Sequence, residues 1–226
     1  AALKIAKKLN GEIINADSMQ VYKELKILTA RPSKTDLNKI DHHLYGFRSV
    51  QKEFSSGEWL KLAKKNIKKI RDKNKIPVLV GGTGLYFKAL TDGLVKIPNI
   101  PISFRNKIRR MQNSLGQKKF YSKLLKNDSL VKNRIDPTDL QRSIRAYEVI
   151  SFTKKSIFEW YKKTKPSFQN DQFIKIYIDY PRDELIRKIS KRVDQMMKNG
   201  AVQEVKDFLK LNLKSDSNIF KVIGIR

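Results

Sequence analysis

Three groups of residues in this chain combine types and spacings that could do chemistry. The first is Asp17-Ser18-Met19-Gln20, which follows directly on the expected strand Ile13 to Ala16, opened by the apolar pair Ile13-Ile14. A carboxylate at the end of a buried strand can act as a general base or hold a metal, and it can equally cap a turn. The second is Gly81-Gly82-Thr83-Gly84, which follows the run Ile76-Pro77-Val78-Leu79-Val80 in the same way. Backbone amides and a hydroxyl free of bulky neighbours let a phosphate or a base approach closely, although a strand-to-helix turn uses glycine too. The third is the run from Asp136 to Ile150, in which Arg142 and Arg145 stand three apart and share a helix face. Two such arginines could grip a diphosphate or neighbouring nucleic-acid phosphates, or simply form a solvated face.

The elements that must position these groups are legible in outline. Ligands of open α/β sheets bind beyond the carboxyl ends of the strands, so two strands ending in polar clusters predict one site at a sheet edge. Ala2, Leu3, Ala6 and Leu9 form a helical stripe that stops at Asn10-Gly11. Ser55 with Glu58 makes a capping box, and Trp59, Leu60, Ala63, Ile67 and Ile70 follow at helical spacing. The pattern of Phe173, Ile174, Ile176 and Ile178 predicts a further strand, closed by Asp179-Tyr180-Pro181. A helix then follows with Leu185, Ile189, Val193, Met196 and Met197 inward and Gly200 as its stop. The stretch 101–170 holds no convincing buried strand and is expected to be a helical insertion in an α/β core made of residues 1–100 and 171–226.

Bulk properties narrow the classes. The 226 residues contain no cysteine, which excludes disulfides and thiolate metal sites and makes the cytoplasm the expected compartment. No run approaches the ~20 apolar residues that cross a bilayer, and the three lysines within Ala1 to Leu9 do not suit a signal peptide. The formal charge of +27 would concentrate polyanions around the protein, while a lysine-rich coding bias could produce part of it. Between Ser103 and Asn170 there are 17 Lys/Arg against 5 Asp/Glu, a net of +12 that includes Arg105, Arg109, Arg110, Arg134, Arg142 and Arg145. His42 and His43 are adjacent, and neighbouring side chains diverge, so a packed or hydrogen-bonded role is expected rather than a chelating pair.

Several ordered motifs together resemble the tRNA dimethylallyltransferase family over essentially the whole chain. They are Asp17-Ser18-Met19-Gln20-Val21-Tyr22, Thr29-Ala30-Arg31-Pro32, Asp41-His42-His43-Leu44, Val80 to Tyr86, Gln141 to Val149, Arg192 to Met196 with Gly200, Glu204-Val205, and Ile223-Gly224. The resemblance implies an α/β fold with a P-loop-kinase-like parallel sheet, helices on both faces, and a helical insertion that embraces the anticodon arm. It implies transfer of a dimethylallyl group from dimethylallyl diphosphate to N6 of adenosine 37, with Mg²⁺ assisting the diphosphate and the target adenine flipped into a channel.

Carried over by motif, Asp17 would take the proton from N6, and Asp17, Ser18, Met19 and Gln20 would surround the adenine. Thr83 and Arg105 would contact tRNA, as would Gln141, Arg142, Ser143, Ile144 and Arg145, and Arg142 would also help hold the diphosphate. Asp17, Thr83 and Arg142 are thus the implied catalytic set, in a monomer with no membrane partner. The family's Gly-Lys-Ser/Thr P-loop precedes the helix at Ala1 and has no counterpart in this sequence. The chain is accordingly expected to be an internal fragment that binds tRNA weakly and has little transferase activity. A small-molecule or nucleotide kinase and a non-catalytic tRNA-binding protein are the alternatives.

Overall fold

The computed structural model describes residues 1–213 and 218–225. Contacts divide the chain into two units, residues 1–90 with 169–226 and residues 91–168.

The first unit is built on β1 (Gly11–Asn15), every residue of which is buried. Helix α1 (Ala2–Lys8) leads into it through Asn10, whose positive φ of 49° turns the chain. After the short helix α2 (Lys34–Leu37), strand β2 (His42–His43) pairs with one side of β1, and β3 (Ile76–Val80) pairs with the other. All pairing is parallel, with Ile13 opposite His42 and Val78. A central parallel strand is covered on both faces, which is why Ile13-Ile14 reads as a continuous apolar run and not an alternation. Helix α3 (Ser56–Arg71) connects β2 to β3 and starts at the expected capping box: Glu58 N donates to Ser55 Oγ and Ser55 N donates to the Glu58 carboxylate. Its Trp59, Ala63, Ile67 and Ile70 are buried. Helix α4 (Gly84–Thr91) follows β3 after the glycine loop.

The second unit is helical. Helix α5 (Ile102–Asn127) is interrupted at Gly116, whose φ of 70° no side-chain-bearing residue adopts readily. Helix α6 (Leu140–Thr153) is capped by Asp139, and α7 (Ile157–Lys162) by a capping box, Ser156 with Glu159. Phe120, Leu124, Val131, Ala146 and Val149 form its core.

Residues 173–178 correct the sequence reading. They form no strand: Ile174 is 93% exposed and Tyr177 is 90% exposed. A strand exists only where a neighbour completes its ladder, and among the described residues β1 has both edges taken while no strand lies beside 173–178. Helix α8 (Arg182–Lys198) forms as expected, followed by Gly200 at φ 93° and helix α9 (Ala201–Leu209). Its apolar stripe is not turned into a core, because Leu185, Ile189, Val193 and Met197 are all exposed. An amphipathic period reports which face could be buried, not whether another element covers it. Helix α9 does pack, through Phe208 against Val21, Leu25 and Val222.

Candidate active site and nucleic-acid interface

At the carboxyl end of β1 the chain is held by Asn15, a buried residue for which the sequence offered no chemical signal. Its Nδ2 donates to the carbonyls of Asp17 (2.9 Å) and Leu44 (3.0 Å), and its Oδ1 accepts from Asp17 N (2.9 Å). Such a wholly committed buried amide fixes backbone geometry. Asp17 then accepts from Met19 N (2.8 Å) and more weakly from Gln20 N (3.4 Å). Both bonds end on Oδ1, leaving Oδ2 outside the loop's own hydrogen bonding.

The glycine loop meets this turn directly. Thr83 Oγ1 accepts from Ser18 N (2.9 Å) and donates to Ser18 Oγ (3.2 Å), and Thr83 N donates to Ala16 O (3.2 Å). The three glycines differ in their reasons. A Cβ on Gly81 would lie 2.2 Å from the carbonyl of Ala16, so packing demands glycine there. Gly82 and Gly84 face open space, where the fold would accept a methyl group. Beneath both loops Trp59 donates Nε1 to Asn15 O (2.8 Å) and stacks on Tyr86 at 4.2 Å and 9°. The structure therefore brings Asp17, Ser18 and Thr83 together.

Met19 and Gln20 are turned to other tasks. Met19 packs beside the Val21 and Leu25 core. Gln20 Nε2 donates to Thr29 O (2.8 Å), so its amide braces the loop that carries Thr29-Ala30-Arg31-Pro32. The same loop is clamped from α9, where the Glu204 carboxylate accepts from the backbone N–H groups of Lys26, Ile27 and Leu28 at 2.7 to 3.0 Å. A cavity of about 230 Å³ is lined in part by Gln20, Ala30, Pro32, His42 and Tyr45. Burial, with the Asp17 charge added, pushes the Tyr45 hydroxyl up to about 12, so it stays protonated and able to donate.

The far end of β1 carries a different cluster. Glu12 is buried and receives Lys75 (2.8 Å), Lys73 (3.0 Å) and His43 (2.7 Å), while His42 Nδ1 lies 2.7 Å from Ile40 O. The adjacent histidines thus diverge into separate hydrogen bonds, as the spacing predicts. Among the described residues no three His, Cys, Asp or Glu side chains converge on a metal position. The oxygens beside Asp17 are its carboxylate and the Ser18 and Thr83 hydroxyls, a hard and sparse set that suits a divalent ion held mainly by substrate phosphates.

In the second unit α6 presents Gln141 and Arg142 to solvent. Arg142 pairs with the capping Asp139, whose Oδ1 also accepts Arg142 N (2.9 Å). Arg145 and Arg105 both pair with Glu148, and Tyr161, half exposed, lies in the field of Arg145 and Arg142. Ser143 is placed inside, its hydroxyl accepting from Gln117 Nε2 (3.2 Å), and Ile144 packs against the core. Helical geometry explains the split: in a run of five consecutive residues at 100° per residue, some must face inward. Those two residues seat the helix.

A parallel-sheet α/β unit with a carboxylate after one strand and a glycine loop after its neighbour, in one chain with a basic helical unit, is the arrangement of an enzyme of the P-loop-like α/β class. The chain belongs to the IPP transferase family, whose model matches residues 20–226. It is 58% identical over 224 residues to the tRNA dimethylallyltransferase of Pelagibacter ubique, covering 99% of this chain and 72% of that protein. Its fold is similar to the full-length tRNA isopentenylpyrophosphate transferase of Bacillus halodurans, with a TM-score of 0.63, 31% identity, and coverage of 99% of this chain and 69% of that one. It is also similar to a eukaryotic dimethylallyltransferase seen acting on tRNA, with a TM-score of 0.78, 28% identity, and coverage of 93% and 52%.

Proposed function

We propose that this chain transfers a dimethylallyl group from dimethylallyl diphosphate to N6 of adenosine 37 in tRNA. The observation that carries the reading is the strand-end turn in which Asp17 is fixed by Asn15 and faces a Thr83–Ser18 pair, in a member of this family. The exocyclic amine of adenine is a weak nucleophile because its lone pair is delocalised into the ring. As the bond from N6 to the allylic carbon forms, the carbon–oxygen bond to diphosphate breaks and the electron pair leaves with the diphosphate. The N6 proton passes to the Asp17 carboxylate. Mg²⁺, when bound with the diphosphate, neutralises charge on the leaving group.

Fixing Oδ1 by the Met19 and Gln20 amides holds the carboxylate in one orientation, so no reorganisation is needed as the proton arrives. Gly82 and Gly84 leave room for a substrate to approach the loop backbone. Adenine must leave its stack to reach this turn. The outward residues of the basic unit, Arg105, Gln141, Arg142 and Arg145, take backbone and phosphate contacts that set register, while the choice of base is made elsewhere. No helix among the described residues is long and apolar enough to cross a membrane, and a cysteine-free chain suits a reducing compartment. We place it in the cytoplasm as a monomer.

The test incubates the chain, as it stands and with the family's glycine-rich loop joined upstream, with unmodified tRNA, dimethylallyl diphosphate and Mg²⁺. Nucleosides are then weighed for N6-dimethylallyladenosine. The expected product is lost, by about a hundredfold or more for a positioned base, in Asp17→Asn. Phosphoryl transfer from ATP to a small acceptor, or anticodon-arm binding without product in the folded extended protein, would overturn the reading.

A further inference from the structure

Glu148 is a charged group that the proposed chemistry does not use. It lies on the buried side of α6 with 1% of its surface exposed. Each carboxylate oxygen serves a different arginine: Oε1 accepts Arg105 Nε (3.4 Å) from the first turn of α5, and Oε2 accepts Arg145 NH1 (3.1 Å) from its own helix. Both arginine side chains are only partly covered, at 32% and 41% exposure. A guanidinium has five N–H donors in a rigid fork. Each arginine therefore spends one edge on Glu148 and keeps donors for solvent.

One cation would suffice to neutralise a buried carboxylate, and two guanidinium groups side by side repel each other. The arrangement gives each oxygen its own arginine, and each arginine a planar orientation that a free side chain lacks. We propose that Glu148 is a positioning residue: it holds Arg105 and Arg145 as a preset pair that receives phosphates of an RNA backbone. The proposal rests on the reading of this unit as RNA-binding, and it adds that an acidic residue strengthens the binding of a polyanion. The sign is what makes it testable. If only net charge mattered, removing Glu148's negative charge would tighten RNA binding. If Glu148 sets the geometry, removing it weakens binding although the patch becomes more positive.

The measurement is fluorescence anisotropy of a labelled anticodon stem-loop RNA with the 226-residue chain, titrated across about 50 to 200 mM salt. Glu148→Gln is expected to bind about five- to tenfold more weakly. Its slope of log affinity against log salt should fall by roughly 0.7 to 1.4, the loss of one or two phosphate contacts. Glu148→Asp keeps the charge and withdraws the carboxylate by one methylene; it is expected to weaken binding in the same direction, and it carries the test should the glutamine variant fail to fold by circular dichroism. With Arg105 and Arg145 both changed to Met, neither Glu148 variant should weaken binding further. Glu148 variants that are folded and bind as tightly as the parent, while the double arginine variant binds weakly, would overturn the positioning role and leave the RNA reading intact. Binding that ignores both arginines would overturn the two together.

Discussion

Changing Glu12 to Gln tests the ionic knot that anchors the N-terminal end of β1. Burial alone would raise this carboxyl, but hydrogen bonds from Lys75, His43 and Lys73 overcome it and hold the group at about 2 instead of 4.5. At about 1.4 kcal/mol per factor of ten, that gap sets a ceiling of roughly 3 kcal/mol on the stability it contributes. Lys73 and Lys75 are 52% and 33% exposed, so solvent screens them, and about 2 kcal/mol is the expected figure. Because the folded-state value is depressed, the contribution is complete above pH 4.5 and disappears as pH falls toward 2. Glu12→Gln should therefore be about 2 kcal/mol less stable at pH 7, with the gap to the parent closing across the window from pH 4.5 to 2. Asp36, Asp136, Asp139 and Asp207 are also depressed by local hydrogen bonds, but they are common to both proteins and cancel in the difference. The assay is urea unfolding at a series of pH values in a Trp160→Phe background, which leaves Trp59, buried in the first unit, as the sole tryptophan reporter. A gap that stays constant down to pH 2, or no gap at pH 7, would refute the assignment of the stabilisation to the Glu12 charge.

Three further outcomes follow from contacts near the site. Gly81→Ala places a Cβ 2.2 Å from Ala16 O and 2.6 Å from Asp17 N; it should lower the melting temperature sharply, whereas Gly82→Ala should melt like the parent while reducing prenyl transfer. Trp59→Phe keeps an aromatic ring beneath the site but removes the bond to Asn15 O and, at a fully buried position, leaves a gap where the larger indole stood; the lost bond alone costs about 1 to 3 kcal/mol in urea unfolding, and the gap adds to it. Ser55→Ala removes the cap of α3 and should cost about 1 kcal/mol by the same measurement, with no change in RNA affinity by anisotropy.

Much of the first unit was legible because its signals are local. A capping box such as Ser55 with Glu58 acts over one turn, and a buried parallel strand announces itself by a continuous apolar run, as Ile13-Ile14 does; Val78-Leu79-Val80 carries the same run and forms the expected strand, but β3 is only half-buried. The positions of Asp17 and Thr83 at two strand ends followed from those runs, and the parallel pairing of β1 with β3 brought them together. Residues 173–178 and the stripe on α8 carried the same kind of signal, and there it failed. Pattern states a preference for burial, while burial itself requires a covering element that no local period specifies.

Residue types and their order determined the α/β class, the basic character of the middle third, the strand-end turn with its carboxylate, and the resemblance to a transferase family. Tertiary structure alone decided which polar groups are free for chemistry. Gln20 is spent on Thr29 and Ser143 on Gln117, whereas Asn15, Trp59, Glu204 and Glu148 gain their roles from partners between 2 and 178 residues away. A hydrogen bond depends on distances of about 3 Å and on direction. Those are set by packing, and a linear pattern of residue types does not encode them one at a time.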